Sequence, residues 1–142
     1  MVFVHLVDNY FSNLEIDNLT DDIRTEIIRR GEILRNIAIG HAAPPLSYVN
    51  ENNDAIDLYD IKSKYTVLFF YKPDCQRCMR DKRVLNMVKK RRKDLEILHI
   101  DISEENNKIS QDIINQYDIM TTPMIYLLDD KKDIIAKRIK AE

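Results

Sequence analysis

The chain has 142 residues, enough for one domain with a hydrophobic core, and 44% of its residues are hydrophobic. Its 22 basic and 24 acidic residues give a formal net charge of −2, which offers no electrostatic basis for binding nucleic acid or an anionic membrane. No apolar run approaches the roughly 20 residues that a transmembrane helix requires, so we expect no direct membrane insertion.

The N-terminal region is expected to form a helical extension. Residues 1–7 are apolar, but this run is short and lacks both a basic flank and a small-residue cleavage site, so it is not typical of a signal peptide. Apolar residues at helical spacing predict an amphipathic helix over residues 21–39, with Gly40 as its stop. We therefore divide the chain into an extension, residues 1–40, and a main domain, residues 41–142.

The segment after the extension is expected to be extended and then to form a small hairpin. Pro44 and Pro45 bias the residues before them away from helix. Residues 46–49 and 55–57 have the composition of two short strands around a polar turn. Residues 58–63 then predict a short helical turn that leads into the first long strand.

The remainder of the chain alternates between buried strands and amphipathic helices. Short apolar runs rich in β-branched and aromatic residues predict the strands, and apolar residues at helical spacing predict the helices. In chain order these are a strand at 65–71, a helix at 78–92, a strand at 95–100, a helix at 103–116, and strands at 124–128 and 134–139. The strand, helix and strand between residues 65 and 100 favour a parallel crossover, and the last two strands favour an antiparallel hairpin. We therefore predict an α/β fold with a mixed central sheet.

The chain's two cysteines, Cys75 and Cys78, fall where the predicted strand at 65–71 ends and the next helix begins. At a helix start, unpaired backbone N–H groups and the positive end of the helix dipole stabilise a thiolate, which is the form of cysteine that attacks a disulfide. A bridge over so short a loop adds little stability, because loop-closure entropy grows with loop length. The pair is therefore better explained as a redox dithiol than as a structural disulfide.

A second motif, Thr121-Thr122-Pro123, stands directly before the predicted strand at 124–128. Proline has no N–H group to donate to a sheet, so it suits the first position of a strand, and it can hold a cis peptide bond. In that geometry the backbone N–H and C=O groups of Thr122 stay free and face the cysteines. An extended substrate could then pair with them as a short added strand.

Together these features resemble the thioredoxin fold. The resemblance is carried by Phe70-Tyr71-Lys72-Pro73-Asp74-Cys75-Gln76-Arg77-Cys78 after a strand, and by Thr122-Pro123 before a strand and a hairpin. Residues 42–46 and 58–61 resemble the TlpA/ResA-like branch, whose members are envelope thiol–disulfide oxidoreductases, often exported or lipid-anchored. The resemblance covers roughly residues 40–140 and implies a three-layer thioredoxin-like fold whose final helix is missing from this chain.

The resemblance also implies roles for individual residues. Cys75 is then the nucleophilic thiol and Cys78 the resolving thiol. Thr122 and Pro123 form the substrate-binding cis-proline element. These four residues make up the site that the resemblance predicts.

Three charged residues near the cysteines are candidates for proton transfer or for tuning the thiolate. Asp81 matches a position where members of the resembled branch often carry an acid, although it also fits a solvated residue of the early helix. Asp74 is a candidate N-cap whose negative charge opposes thiolate formation. Arg77 favours the thiolate.

The implied function is that of a thiol–disulfide oxidoreductase that reduces or shuttles protein disulfides through the Cys-x-x-Cys dithiol. Its partners would be a disulfide-bearing protein substrate and an upstream thiol electron donor, and no cofactor or metal is required. From the resembled branch we expect an exported domain in the bacterial periplasm or cell envelope, with the cytoplasm as second choice.

Three alternatives remain open. A metal-binding module would need two further ligands, but His5, His41 and His99 lack ligand spacing to the cysteines, and we interpret His99 as a hydrogen-bonded structural residue. A non-catalytic thioredoxin-fold interaction module of a larger envelope protein would bind a partner through the helix at 21–39 or an open sheet face. A peroxiredoxin would carry threonine at the position of Lys72.

Overall fold

The computed structural model describes residues 21–103 and 111–137, which form a mixed α/β structure. The helices are α1 (Asp21–Asn36), α2 (Gln76–Arg91) and α3 (Gln111–Gln116), with a short 3₁₀ helix at Leu58–Asp60. The strands are β1 (Ser47–Val49), β2 (Ala55–Asp57), β3 (Tyr65–Tyr71), β4 (Leu95–Asp101), β5 (Met124–Leu128) and β6 (Ile134–Lys137). Predictions that fall on residues 1–20, 104–110 and 138–142 lie outside the described residues.

The strand pairing confirms the predicted mixed central sheet. Within the described residues, a four-stranded sheet has the order β4-β3-β5-β6. β3 pairs in parallel with β4, so that Tyr65 lies beside Leu95 and Tyr71 beside Asp101, and α2 connects the two strands. β5 pairs antiparallel with both β3 and β6, and β1 and β2 form the predicted separate hairpin.

Alternate side chains of the strands face opposite sides of the central sheet and pack against different helices. On one side, which we call the α2 face, the buried strand residues are Val67, Phe69, Tyr71, Leu95, Ile97 and Ile125, and they pack with Cys78 and Leu85 of α2. On the other side, the α1–α3 face, they are Leu68, Phe70, Leu98, Ile100, Met124, Tyr126, Leu128 and Ile134. Helices on both sides of the sheet give the predicted three layers.

Helix α1 is shorter than predicted. It ends at Asn36 instead of residue 39, and Gly40 follows in the left-handed region with φ +94°. After the helix, the chain hydrogen-bonds to β6. The N–H group of Gly40 donates to the carbonyl of Ile134 at 2.8 Å, and the N–H group of Ile134 donates to the carbonyl of His41 at 2.9 Å.

The described part of the N-terminal extension packs against the main domain. Leu34 and Ile37 are buried in the core of the α1–α3 face. Arg30 of α1 forms an ion pair of 3.0 Å with the buried Asp118, which follows α3. The structure therefore supports a packing role for α1, while the domain boundary at residue 40 stays a prediction.

Candidate active site

The two cysteines lie at the end of β3, where a turn at residues 72–74 leads into α2. They form a disulfide, and their Cα atoms are 5.1 Å apart, within the usual range for such a bond. This position confirms the prediction that the pair falls where a buried strand ends and a helix begins.

Cys75 is the N-cap residue of α2. Its backbone is extended, with φ −93° and ψ 114°, and its Sγ atom accepts a hydrogen bond of 3.1 Å from the backbone N–H group of Cys78. The same N–H group would bind a Cys75 thiolate more strongly, because hydrogen bonds to charged acceptors are stronger than those to neutral ones. The start of α2 therefore favours negative charge on this sulfur.

The prediction that Asp74 caps the helix is wrong. α2 begins at Gln76, two residues before the predicted start at Cys78, so the residue that directly precedes the helix is Cys75. Asp74 instead lies exposed in the turn. Arg77 is exposed in the first turn of α2. A carboxylate at the first of these positions disfavours a neighbouring thiolate, whereas a guanidinium at the second favours it.

The two cysteines differ in accessibility. Cys78 is 0% exposed and belongs to the core of the α2 face, whereas Cys75 is partly exposed. An external disulfide can therefore approach the sulfur of Cys75, while the buried sulfur of Cys78 is within reach of Cys75 only. This arrangement suits a nucleophilic thiol followed by a resolving thiol.

The loop before β5 faces the cysteines. The Thr122–Pro123 peptide bond is cis. Because Phe70 of β3 pairs with Met124 of β5, the residues after Phe70 and the residues before Met124 leave the same end of the sheet. The carbonyl oxygen of Thr122 lies 3.9 Å from Cys75 Sγ. Sheet register thus brings together two motifs that are 47 residues apart in the sequence.

Asp81 lies on the inner side of α2, one turn after Cys78. Its exposure is 5%, so the alternative of a solvated residue is wrong. Residues three apart on a helix lie on the same side, and Cys78, Asp81 and Leu85 are the buried residues of α2. Arg80 Nε lies 3.9 Å from Asp81 Oδ1. Asp81 therefore shares the buried side of α2 with the Cys78 thiol.

A surface cavity of about 450 Å³ lies beside Cys75. Its lining residues are Pro73, Asp74, Cys75, Gln76, Arg77, Met79, Arg80 and Arg83. Among these described lining residues three arginines outnumber one carboxylate, so they give a net positive charge next to the accessible sulfur.

The sequence model of a known family matches residues 39–141, which is most of the chain, and its description is AhpC/TSA family. The chain belongs to the AhpC/TSA family. No curated protein matches the sequence. Membership in the AhpC/TSA family agrees with the resemblance to thioredoxin-fold redox proteins that the cysteine and proline motifs indicate.

Solved bacterial structures share the fold of this AhpC/TSA family member. The thioredoxin domain of a thiol-disulfide oxidoreductase from Bacteroides vulgatus has a TM-score of 0.65 and 20% identity over 73% of this chain and 90% of that one. A thioredoxin-like protein from Bacteroides caccae has a TM-score of 0.74 and 19% identity over 99% of this chain and 57% of that one. A domain of a possible thiol-disulfide isomerase from Cytophaga hutchinsonii has a TM-score of 0.61 and 28% identity over 73% and 86%. These similarities confirm the predicted fold class.

A polar cluster of this AhpC/TSA family member lies beside the last residue of β3, and no sequence pattern connects its members. The hydroxyl of Tyr71 donates to Glu51 Oε1 at 2.7 Å, and Lys82 Nζ lies 3.4 Å from the same oxygen. Burial raises the pKa of Tyr71, and the hydrogen bond from Tyr71 lowers the pKa of Glu51. The cluster ties the β1–β2 hairpin to α2. The one sequence signal for it is an aromatic residue that ends a strand four positions before Cys75.

The interpretation of His99 as a hydrogen-bonded residue is wrong. Its Nδ1 atom is buried and has no hydrogen-bond partner among the described residues. Its ring meets the edge of Phe69 at a centroid distance of 5.8 Å, because both side chains point to the α2 face. Burial there lowers the pKa of His99.

Two further findings apply to the described residues of this AhpC/TSA family member. In residues 21–103 and 111–137, no group of three histidine, cysteine or carboxylate side chains could hold a metal ion. Over the same part of the chain, none of the helices combines the length and the apolar character needed to cross a membrane. His5 lies outside the described residues.

Proposed function

We propose that this AhpC/TSA family member is a thiol–disulfide oxidoreductase that reduces or shuttles protein disulfides through Cys75 and Cys78. The observation that carries the proposal is the arrangement at the start of α2. A partly exposed Cys75 sulfur accepts the Cys78 N–H group and lies opposite the Thr122 carbonyl. The family and the fold of the bacterial oxidoreductase domain support the same reaction class.

The reaction begins from the reduced pair. The Cys75 thiolate attacks one sulfur of the substrate disulfide, so a mixed disulfide forms and the other substrate sulfur leaves as a thiolate that takes up a proton. Cys78 then loses its proton and attacks Cys75 Sγ. The substrate's remaining sulfur departs as a thiol, and the protein keeps the Cys75–Cys78 disulfide seen in the structure. Two electrons pass to the substrate, and an upstream dithiol donor restores the reduced pair.

Asp81 is the proposed proton acceptor for the second step. Cys78 is fully buried, so bulk water cannot readily take its proton when it attacks Cys75. Asp81 is buried on the same side of α2, one turn away. A carboxylate at this place would take the Cys78 proton and so increase the rate at which the mixed disulfide resolves.

Thr122 and Pro123 are the proposed docking element for the substrate chain. With the peptide bond between them cis, the Thr122 carbonyl lies near Cys75. An extended polypeptide could pair with the Thr122 backbone while its disulfide reaches Cys75, as in other cases of strand addition. Such docking relies on main-chain hydrogen bonds and therefore tolerates many substrate sequences.

The proposed location is the bacterial periplasm or cell envelope, where protein disulfides form and must be reduced or rearranged. This proposed location is supported by the similarity in fold to a bacterial oxidoreductase domain. The chain also aligns with 57% of the Bacteroides caccae thioredoxin-like protein, which is compatible with a domain of a larger protein.

Insulin reduction with dithiothreitol as the electron donor tests the proposal. The wild-type protein should accelerate precipitation of the insulin B chain. Cys75→Ser should reduce the rate to that measured without protein. Reduced Cys78→Ser, mixed with insulin after the dithiothreitol has been removed, should accumulate a mixed disulfide visible by mass spectrometry. A Cys75→Ser protein that keeps the wild-type rate would contradict the dithiol mechanism.

The same preparations separate the alternatives. If the wild-type protein and Cys75→Ser are equally inactive on disulfides although both are folded, the non-catalytic interaction module is favoured. Peroxide consumption that depends on Cys75 and exceeds disulfide reduction would favour a peroxiredoxin. The lysine at residue 72, where a peroxiredoxin carries threonine, predicts that this consumption is absent.

A further inference from the structure

The cavity beside Cys75 carries an unusual distribution of charge. Arg77, Arg80 and Arg83 all line it, and their spacing of three residues places them along one side of α2. We call these three side chains the arginine face. All three are exposed, and they extend away from Cys75 toward the middle of the helix.

Two members of the arginine face have no acidic partner among the described residues. Arg77 and Arg83 make no ion pair with any described residue, whereas three arginines outside the arginine face are paired: Arg29 with Glu26, Arg30 with Asp118 and Arg92 with Asp94. Among the described residues, the one carboxylate that lines the cavity is Asp74. The chain as a whole has a net charge of −2, so this positive region contrasts with the overall charge.

Helix stability does not explain a basic residue at this end of α2. The positive end of a helix dipole favours acidic side chains, and α1 follows this rule with Asp21 and Asp22 in its first turn. The first turn of α2 contains Arg77 and no acidic residue. A cation there stabilises a Cys75 thiolate, but Arg80 and Arg83 lie one and two turns further along.

We propose that the arginine face binds carboxylates of the substrate, and that the preferred substrate is a polypeptide with acidic residues close to its disulfide. This inference rests on the proposed disulfide exchange at Cys75. Arg83 lies eight residues along the helix from Cys75, or about 12 Å at the helical rise per residue. An extended substrate advances about 3.3 Å per residue, so acidic side chains two to four positions from the reacting cysteine would reach the arginine face.

Two disulfide peptides test the preference. They should be identical except that glutamates at the second and third positions from the reacting cysteine are replaced by glutamines in the second peptide. Reduction of each is measured with the wild-type protein, with the double variant Arg80→Gln/Arg83→Gln and with Arg91→Gln. Arg91 is an exposed arginine at the other end of the same helix and serves as the matched control.

The result expected is a ratio of rates, acidic over neutral peptide, of about 3 to 10 at low salt for the wild-type protein, since exposed ion pairs are individually weak. Arg80→Gln/Arg83→Gln should bring the ratio close to one, and Arg91→Gln should leave it unchanged. Raising the salt concentration to about 0.5 M should also lower the ratio, because salt screens exposed charges. The ratio cancels any change in the reactivity of Cys75, which affects both peptides equally.

Each other outcome is informative. Equal reduction of both peptides by the wild-type protein, or a ratio that survives Arg80→Gln/Arg83→Gln, would overturn the preference and leave disulfide exchange standing. Faster reduction of oxidised glutathione than of the acidic peptide would contradict the inference that the preferred carboxylate-bearing substrate is a polypeptide. If neither peptide is reduced above the rate without protein, the proposed function itself fails.

Discussion

The two faces of the central sheet are built from different kinds of side chain. On the α1–α3 face, the rings of Phe70, Tyr117 and Tyr126 pack with centroid distances of 5.3 to 6.1 Å. The hydroxyl of Tyr117 donates to the carbonyl of Pro44, and that of Tyr126 donates to the carbonyl of Tyr117. The polar atoms of these buried tyrosines are therefore satisfied within the protein.

The α2 face keeps chemically reactive groups instead. Cys78, the buried Asp81 and the unpartnered Nδ1 atom of His99 all lie on this side of the sheet. Buried polar groups without a full set of partners cost stability and are concentrated at functional sites. The α1–α3 face is thus an internally satisfied core, whereas the α2 face holds the groups on which the proposed disulfide exchange depends.

The largest effect should come from truncating the core of the α1–α3 face. Leu68→Ala removes a fully buried side chain from the central strand β3, and such changes cost about 2–5 kcal/mol of unfolding free energy. The disulfide-reduction rate per folded molecule should stay unchanged. Urea unfolding together with the insulin assay measures both quantities.

The adjacent Val67→Ala, on the α2 face, is the matched control. It should cost less free energy of unfolding, because valine loses fewer carbon atoms. A large drop in specific activity for Leu68→Ala would break the proposed division between the two faces.

The second effect concerns proton transfer on the α2 face. Asp81→Asn should slow resolution of the mixed disulfide by up to about 100-fold, because the amide cannot accept the Cys78 proton. Rapid quenching followed by mass spectrometry should show the mixed disulfide accumulating. Asp112→Asn, an exposed acid on α3, is the control and should resolve at the wild-type rate. Equal resolution rates for the two variants would remove Asp81 from the mechanism.

The smallest effect is a pH dependence of stability from His99. Because burial lowers its pKa below the ordinary value of 6.5, the unfolded chain binds a proton that the folded protein does not as the pH falls through that value. This lowers the unfolding free energy at acidic pH. His99→Phe should therefore lose less stability between pH 7 and pH 5 than the wild-type protein does.

The nearby charges work on His99 in opposite directions. Lys82 disfavours the protonated imidazole and Glu51 favours it. If the unfolding free energies of the wild-type protein and His99→Phe change in parallel with pH, the buried ring contributes nothing to the pH dependence of stability.

Much of the fold could be predicted because its signals are local. The apolar run at 65–71 and the spacing of the later elements predict the order of strands and helices, and the register between β3 and β5 then brings Thr122 to Cys75. The end of α1 could not be predicted, because the chain after it pairs with a residue that is distant in sequence: Gly40 donates to the carbonyl of Ile134, and His41 accepts from the N–H group of Ile134.

The details of the site were less accessible to sequence reasoning for the same reason. Whether Asp74 or Cys75 caps α2 depends on a shift of one residue in the helix start. The hydrogen bond between Glu51 and Tyr71 joins the β1–β2 hairpin to the end of β3. Where the ring of His99 packs against Phe69, its Nδ1 atom is buried without a partner among the described residues. None of these features has a periodic signature.

The most direct test of the account is the rate at which each cysteine of the reduced protein reacts with iodoacetamide, measured by peptide mass spectrometry at neutral pH. The account predicts that Cys75 reacts at least about 10-fold faster than Cys78, because only Cys75 is both accessible and held at the start of the helix. Equal rates, or faster reaction of Cys78, would contradict the assignment of Cys75 as the nucleophile.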